Sequence, residues 1–244
     1  MNRVRVATYN IHKGVQGMGL RRRLEIHNLG HAVEQLDADI VCLQEVTKTH
    51  RLAEKHFTRW PELAQASFLA PEGYEAVYRT NALTRHGEHG NALLSRWPVV
   101  AHQHEDMSDH RFEQRGLLHV EVLLHDRRVH VVVVHLGLIP ASRGRQVIQL
   151  QQFIAREVPP SAPLLVAGDF NDWGALVPRA LKAVGLTSFR GPRQPTFPAR
   201  LPLVQLDYVY ARDLTPLGLE VPRGRIWWRM SDHLPLIAEF SLAS

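Results

Sequence analysis

The sequence predicts an α/β protein, a four-layer α/β sandwich in which two stacked mixed, mainly antiparallel sheets are flanked by helices. Short apolar runs alternate with helical patterns along the chain, with no internal repeat and no linker-like change in composition. Polar residues end some of the apolar runs and begin others. A fully parallel sheet would place strand starts and strand ends on opposite edges, so a shared polar edge requires antiparallel neighbours.

The first predicted elements are a strand, a helix and a second strand. Residues 4–8 alternate as in a strand, which ends at Asn10. Apolar residues within 24–36 recur near helical spacing, and the apolar run 40–43 leads to Glu45. Each predicted strand therefore ends beside an oxygen-bearing side chain.

Two later apolar runs predict strands that are covered on both faces. The run 129–134 ends at His135, and the run 164–167 leads through a glycine to Asp169. Between them we expect Ser142 to cap a helix. The core side of that helix is predicted to carry Val147, Leu150, Phe153 and Ile154. Two further strands, 206–210 and 234–240, are predicted with polar residues at their starts, namely Asp207, Asp232 and His233.

Length and composition indicate one soluble domain that spans residues 1–244. Hydrophobic residues make up 45% of the chain and charged residues 22%, which is ordinary for a globular protein. The 29 Lys and Arg outnumber the 24 Asp and Glu, for a net charge of +5, so nucleic acid or an anionic phospholipid surface is a favoured partner. No sequence feature implies an obligate protein partner, and we expect a monomer.

The single cysteine, Cys42, rules out an intramolecular disulfide and disfavours a thiolate-based zinc site. The N-terminus shows no signal-peptide pattern, and no apolar run is long enough to span a membrane. These features predict a cytoplasmic protein.

Several oxygen-bearing side chains stand beside predicted strand ends, where a sheet can fix their geometry. They are Asn10, Glu45, Asp169, Asn171 and Asp232. Carboxylate and amide oxygens suit Mg²⁺ or Mn²⁺ better than zinc or copper. A single Asp or Asn at such a position is usually a turn or cap residue, and it is their number, together with two histidines, that favours a metal-dependent site.

Seven short blocks follow one another over nearly the whole chain: 8–11 (TYNI), 43–46 (LQEV), 90–96 (GNALLSR), 134–136 (VHL), 168–171 (GDFN), 206–209 (LDYV) and 231–233 (SDH). In sequence and order they resemble the endonuclease/exonuclease/phosphatase superfamily, the group of deoxyribonuclease I, abasic-site endonucleases, sphingomyelinases and inositol-polyphosphate 5-phosphatases. The chain looks closest to a bacterial branch marked by 10–14 (NIHKG) and 168–173 (GDFNDW). For that branch the resemblance implies no settled substrate.

The resemblance implies a metal-dependent phosphoesterase with assigned ligands. Glu45 would be the principal metal ligand, supported by Asn10 and Asp232. Asp169 would orient or deprotonate the attacking water, and Asn171 would donate a hydrogen bond to the phosphate.

Two histidines complete the implied site. His233 would contact the phosphoryl group, held in tautomer and charge by Asp207, although a buried ion pair of purely structural value is an alternative for Asp207. His135 occupies a position where deoxyribonuclease-like and sphingomyelinase-like members have a histidine and abasic-site endonucleases differ. It would stabilise the pentacoordinate phosphorus or protonate the leaving alkoxide, which favours diester hydrolysis.

Candidate substrate contacts are Lys13, Asn91, Arg115, Arg143, Trp173, Arg225, Trp228 and Arg229, with Arg21, Arg22, Arg23 and Arg145 as further cations. Arg and Lys neutralise phosphates, and Trp offers a stacking face for an unpaired base. The same residues could instead seat a membrane-interface headgroup or form an ordinary solvated face.

Three functions therefore stay open. A metal-dependent nuclease acting on DNA or RNA leads, because of the basic balance and His135. A phosphodiesterase or phosphatase acting on a phospholipid headgroup or small phosphoester is the alternative. A non-catalytic nucleic-acid-binding module is disfavoured, since a binder has no chemical need for the complete set of site residues.

Overall fold

The computed structural model describes residues 2–17, 22–174 and 176–242, and within them it shows two large β-sheets. Six strands form the first sheet, in the spatial order β12 (Leu214–Glu220), β13 (Leu236–Leu242), β1 (Asn2–Asn10), β4 (Ile40–His50), β6 (Gly87–Ser95) and β5 (Glu75–Thr84). Five strands form the second, in the order β11 (Asp207–Arg212), β10 (Leu164–Asp169), β9 (Arg127–His135), β8 (Gly116–Leu124) and β7 (Val99–Asp106). Strands β2 (Val15–Gln16) and β3 (Arg23–Leu24) form a separate short pair.

Each of the two sheets has helices on its outer face. Those described are α1 (Ile26–Leu36), α2 (Arg51–His56), α3 (Gln65–Leu69), α4 (Pro140–Glu157), α5 (Leu176–Ala183) and α6 (Trp227–Met230). Ile26 and Leu29 of α1 share one buried cluster with Leu43 of the six-stranded sheet. Leu150 of α4 shares another with Val132 of the five-stranded sheet. The order helix, sheet, sheet, helix confirms the predicted four-layer α/β sandwich.

The largest apolar cluster lies between the two sheets. Val4 and Val6 of β1 face it from one side, and Val131 and Val133 of β9 face it from the other. The intervening residues of the same strands point outward to the helices. Both faces of β9 are buried, which explains why its apolar run lacks polar alternation, whereas β1 alternates because its outer face carries Arg3 and Arg5.

The sheets are mixed, and this decides where the polar strand ends lie. Strand β1 runs parallel to β4 and antiparallel to β13, and β10 runs parallel to β9 and antiparallel to β11. The ends of β1, β9 and β10 therefore share an edge with the starts of β11 and β13, as the sequence predicted. The predicted end of β4 at Glu45 was wrong, because β4 continues to His50 and Glu45 lies at a bulge within it.

The predicted start of α4 was wrong. The helix begins at Pro140 and follows Ile139, so Ser142 lies inside its first turn and is not the cap. Proline is favoured at a first helical position because its fixed φ suits the helix and its missing N–H has no partner there. The Ser142 hydroxyl instead donates to Asp109 Oδ2 at 2.6 Å.

Among the described residues, no helix combines the length and the apolar character needed to cross a membrane.

Candidate active site

One edge of the sandwich gathers the polar strand ends from both sheets. The strand register pairs Asp169 with His135 on one side and with Asp207 on the other. Asn10 reaches across from the other sheet and donates from Nδ2 to Asp169 Oδ2 at 3.1 Å. We call this edge the polar rim and define it by Asn10, Glu45, His135, Asp169, Asn171, Asp207, Asp232 and His233.

The backbone is unusual at several rim positions. Glu45 and Asn171 have positive φ values of 55° and 48°, and Glu45 lies where the pairing of β4 with β6 slips at a bulge. Bulges re-aim a side chain, and positive φ costs a non-glycine residue about 1–3 kcal/mol. Gly168 lets β10 approach β9, since a Cβ there would lie 1.9 Å from the carbonyl oxygen of Val134. Local strain thus accompanies two of the side chains that must point into the rim.

Asp169 is the centre of the rim and is 1% exposed. Its Oδ1 accepts the backbone N–H of Asn171 at 3.0 Å, and its Oδ2 accepts from Asn10. His135 Nε2 and His233 Nε2 each lie 3.5 Å from Oδ2. Burial raises the pKa of Asp169 to about 6 against the opposing charge of His233. The carboxylate is therefore a stronger base than an exposed aspartate, yet is largely ionised at neutral pH.

His233 and Asp207 form the predicted dyad. His233 Nδ1 donates to Asp207 Oδ2 at 2.8 Å, and the hydroxyl of Thr196 donates to the same oxygen at 2.6 Å. Burial lowers the pKa of His233, but the carboxylates of Asp207 and Asp169 outweigh it and raise that pKa to about 10. His233 is therefore an imidazolium at neutral pH.

His135 differs from His233 in its protonation state, although both are buried in the same rim. Burial and the positive charge of Arg115 hold the pKa of His135 well below its usual range. The site thus places one neutral imidazole and one imidazolium on the same carboxylate oxygen of Asp169. Environment alone separates the protonation states of two identical side chains.

Two outer carboxylates, Glu45 and Asp232, face cations from the turn after β1. Lys13 Nζ lies 3.2 Å from Glu45 Oε2, and His12 Nδ1 lies 3.1 Å from Asp232 Oδ1. Burial raises the pKa of each carboxyl, but for Glu45 the electrostatic interactions with His135 and with the Lys13 ammonium, and for Asp232 the hydrogen bond from His12, lower it to about 2. Both groups stay ionised.

The donor chemistry of this outer group fits a hard divalent cation. Glu45 and Asp232 supply ionised oxygens, Asn10 supplies an amide oxygen, and the Asp232 side chain is 39% exposed, which leaves access for an ion. A second group, Asp169, Asp207 and His233, has ligand atoms within 4.8 Å of one another. That group fits less well, because both nitrogens of protonated His233 face carboxylates, whereas a metal ligand must be a neutral imidazole.

Three of the predicted substrate contacts stand beside the rim, and one of them is Lys13 at Glu45. Trp173 is 58% exposed and packs edge-on against Phe197, which in turn contacts the ring of His233. Arg115 donates to the carbonyl oxygen of Leu136 at 3.3 Å, next to His135.

Two other predicted contacts are not brought to the surface. Asn91 has no exposed area, and its Nδ2 donates to the carbonyls of Gly116 and Val133, so it joins the two sheets. Arg143 is also buried, and its guanidinium donates to the carbonyls of Gly137 and Leu138. Neither side chain has a donor directed to solvent at the rim, so we no longer expect either to contact substrate. Their polar groups instead donate hydrogen bonds to backbone carbonyls inside the protein.

The remaining predicted cations are spread over several surfaces. Arg225 and Arg229 are exposed around α6, and Trp228 is half-buried with Arg200 over its ring. Arg145 is paired with Asp109. Arg23 lies near Glu25, and Arg22 lies over the ring of Phe57. Arg21 lies outside the described residues.

Sequence reasoning missed three residues that shape the rim: His12, Thr196 and Phe197. Thr196 comes from the long segment between α5 and β11, which has no periodic pattern to place it. His12 did have a signal, because it lies two residues after Asn10 and its backbone N–H donates to the Asn10 side chain at 3.1 Å. A turn that returns to the end of its own strand brings its side chains back to the same site.

The two-sheet fold and its polar rim define a phosphoesterase domain. The chain belongs to the endonuclease/exonuclease/phosphatase family, whose model matches residues 7–233. Members of this family are divalent-metal-dependent hydrolases of phosphoester bonds.

Relatives are similar over almost the whole chain. YbhP of Escherichia coli, itself described as uncharacterized, is 38% identical over 98% of this chain and 96% of its own length. A solved structure from the same family, from Beutenbergia cavernae, covers all of this chain and 72% of its own, with 19% identity and a TM-score of 0.76. Another, D. rerio TDP2 complexed with single-strand DNA product, has 15% identity and a TM-score of 0.70 and covers 98% of this chain and 99% of its own.

Proposed function

We propose that residues 1–244 form a single catalytic domain that hydrolyses phosphodiesters with Mg²⁺ or Mn²⁺, and that nucleic acid is its substrate. The observation that carries this is the placement of a neutral imidazole and an imidazolium on one basic carboxylate: His135 Nε2 and His233 Nε2 each lie 3.5 Å from Asp169 Oδ2. A phosphodiester hydrolase needs a base for water, donors for the phosphoryl oxygens and a proton for the leaving alkoxide.

Each rim residue then has a proposed role. Asp169 accepts the proton of the attacking water, since its raised pKa makes it a better base than a free aspartate. His233 carries the positive charge that offsets the developing charge on phosphorus and is the group that holds a proton for the alkoxide. Neutral His135 hydrogen-bonds a phosphoryl oxygen. Asn171 donates one amide hydrogen to the Leu136 carbonyl at 2.9 Å, and its other amide hydrogen would donate to the phosphate.

The cation would be held by Glu45, Asn10 and Asp232, and when bound it would polarise a phosphoryl oxygen. Lys13, whose Nζ lies 3.2 Å from Glu45 Oε2, would contact a phosphate oxygen beside these ligands.

Nucleic acid is favoured by the net charge of +5 and by Trp173, an exposed ring beside the reacting groups. The structural neighbour TDP2, complexed with single-strand DNA product, supports the same substrate class. A buried, free Cys42 suits the reducing cytoplasm, where we propose that the protein works.

A separate observation supports the second candidate function, hydrolysis of a phospholipid headgroup. The loops around the rim expose large apolar side chains, among them Phe112 at 83%, Leu138 at 64% and Leu201 at 66%. Exposed apolar groups next to cations also suit an enzyme that acts at a phospholipid surface.

A substrate panel separates the two candidates. Plasmid DNA, single-stranded oligonucleotides, RNA and anionic phospholipid vesicles would each be incubated with Mg²⁺, with Mn²⁺ and with EDTA. We expect metal-dependent cleavage of a nucleic acid. Headgroup release from vesicles, with no nucleic-acid cleavage, would replace the proposed substrate by the second candidate.

A further inference from the structure

A second cluster of metal-ligating side chains lies on the outer face of the five-stranded sheet. His119 and Glu121 are two residues apart on β8 and therefore point to the same face. His130 of β9 is the register partner of Glu121. His130 lies five residues before His135 on the same strand, so the cluster is roughly 17 Å along β9 from the polar rim. It belongs to a different part of the molecule.

The three side chains converge on one point. His119 Nε2 lies 2.9 Å from His130 Nδ1, and the two rings are 4° from parallel. One ligand atom from each residue, including a carboxylate oxygen of Glu121, lies within 4.8 Å of the other two. A tetrahedral zinc ion holds nitrogen ligands about 2.0–2.1 Å away, which puts ligand atoms about 3.3 Å apart. The pair of imidazoles needs only a small opening to admit such an ion.

The imidazoles are in the protonation state that ligation requires. Burial, reinforced by the other imidazole, lowers the pKa of His119 to about 4, and burial also lowers the pKa of His130. Both rings are therefore neutral at neutral pH, and in that form a ring nitrogen can bind a metal.

Residues around the three proposed ligands supply hydrogen-bond partners for them. Gln103 Nε2 lies 3.2 Å from His119 Nδ1 and 3.3 Å from Glu157 Oε2. A half-turn of the Gln103 amide would present its oxygen to an Nδ1–H and free His119 Nε2 for the metal, the kind of support that histidine ligands have. Glu121 is paired with Arg128 at 3.2 Å, but the Arg128 side chain is 64% exposed and can turn to solvent.

We propose that His119, Glu121 and His130 form a second metal site, selective for Zn²⁺-like ions, with a water molecule as the fourth ligand. Two imidazoles and one carboxylate favour zinc or cobalt over Mg²⁺, whereas the oxygen donors of the polar rim favour Mg²⁺ or Mn²⁺. The ion would join β8 to β9 beneath the end of α4 and stabilise the native state by binding to it alone.

Cobalt spectroscopy on the full chain tests the site. Tetrahedral Co²⁺ with nitrogen ligands absorbs visibly far more strongly than octahedral Co²⁺ among oxygens, so the signal reports this site and not the rim. We expect the wild-type protein to gain this absorption at one equivalent of Co²⁺ and to lose it on addition of Zn²⁺. The double variant His119→Gln/His130→Gln should not gain it. The matched control is His102→Gln, an exposed histidine on neighbouring β7, which should behave as wild type.

A second measurement does not depend on a folded double variant. Zn²⁺ added to the wild type should move the imidazole ¹⁵N resonances of His119 and His130, and Gln103→Leu should weaken zinc binding about 10- to 100-fold. Absence of a tetrahedral cobalt spectrum in the wild type, its persistence in the double variant, or unmoved His119 and His130 resonances would each overturn the proposal. In that case the two histidines are a hydrogen-bonded core pair only.

Discussion

At the scale of single residues, the chemistry of the rim comes from burial acting unequally on similar groups. Asp169 is buried with an incomplete set of positive partners, so its pKa rises, whereas Glu45 is buried beside Lys13 and its pKa falls. The same contrast separates His135 from His233. Pairs of titratable groups with divergent pKa values are what acid–base chemistry requires.

The first prediction concerns the dyad. His233→Ala should lower kcat by about 10²- to 10⁴-fold, the usual contribution of an acid–base group. Asp207→Asn should lower kcat less, because the imidazole remains but loses its charge partner. Steady-state kinetics on bis-p-nitrophenyl phosphate measure both, with the exposed His31→Ala as a control. If His233→Ala kept wild-type kcat, the dyad would be structural only.

The pH profile gives a second prediction. Asp169 must be ionised to act as a base, so activity should rise with pH through about 6, its raised pKa. His233 must be protonated, so activity should fall as pH passes about 10. In Asp207→Asn the falling limb should move to lower pH, because the charge that raises the pKa of His233 is gone. An unmoved falling limb in that variant would contradict the assignment.

At the scale of elements, the rim depends on how closely β10 packs against β9 at Gly168. Gly168 has φ +152°, and a Cβ there would meet the Val134 carbonyl oxygen at 1.9 Å and its side chain at 3.1 Å. Parallel β9 and β10 can approach only because this position lacks a side chain. The next residue is Asp169, so the packing of two strands sets the position of the proposed base.

The third prediction follows from that approach. Gly168→Ala should destabilise the protein by about 1–3 kcal/mol, the usual cost of forcing extra volume into a packed site, and should lower kcat by displacing Asp169. The matched control is Gly144→Ala in α4, where a Cβ meets nothing within 4 Å. That variant should be stabilised by about 0.5–1 kcal/mol. Urea unfolding measures both, and a neutral Gly168→Ala would refute the close approach.

The sequence predicted several strand boundaries well because buried strands have a readable apolar pattern and a polar residue marks where such a strand stops or starts. Asn10, Asp169 and Asp207 were placed in this way. The sequence alone does not show which polar side chains lie at the rim and which lie in the interior, because both sets contain the same residue types. Asn91 and Arg143 were predicted to contact substrate, but one joins the sheets and the other supports a loop. Burial is a property of the assembled layers, and no local pattern reports it.

At the scale of the whole molecule, the two sheets each bring part of the site. The six-stranded sheet carries Asn10 and Glu45, Asp232 lies in the segment that leads into β13 of that sheet, and the five-stranded sheet carries His135 and Asp169. Neither sheet has a complete set of groups. The inter-sheet core therefore holds the two halves in register.

Salt dependence gives a prediction at this scale. If nucleic acid is the substrate, binding should weaken with salt, log K falling by about 0.7–0.9 per phosphate contact for each decade of salt. Arg225→Ala with Arg229→Ala should flatten that slope and leave hydrolysis of bis-p-nitrophenyl phosphate unchanged, since the small diester does not reach α6. Fluorescence anisotropy with a labelled oligonucleotide measures the slope. An equal slope in the variant would remove these arginines from the interface.

The most direct test of the central claim, metal-dependent phosphodiester hydrolysis at the polar rim, is the rate of bis-p-nitrophenyl phosphate hydrolysis as a function of metal. We expect activity with Mg²⁺ or Mn²⁺, none in excess EDTA, and recovery when the metal is restored. Glu45→Gln should need a higher metal concentration for half-maximal activity, because it replaces an ionised ligand by a neutral one. Undiminished hydrolysis by the purified protein in excess EDTA would contradict the claim.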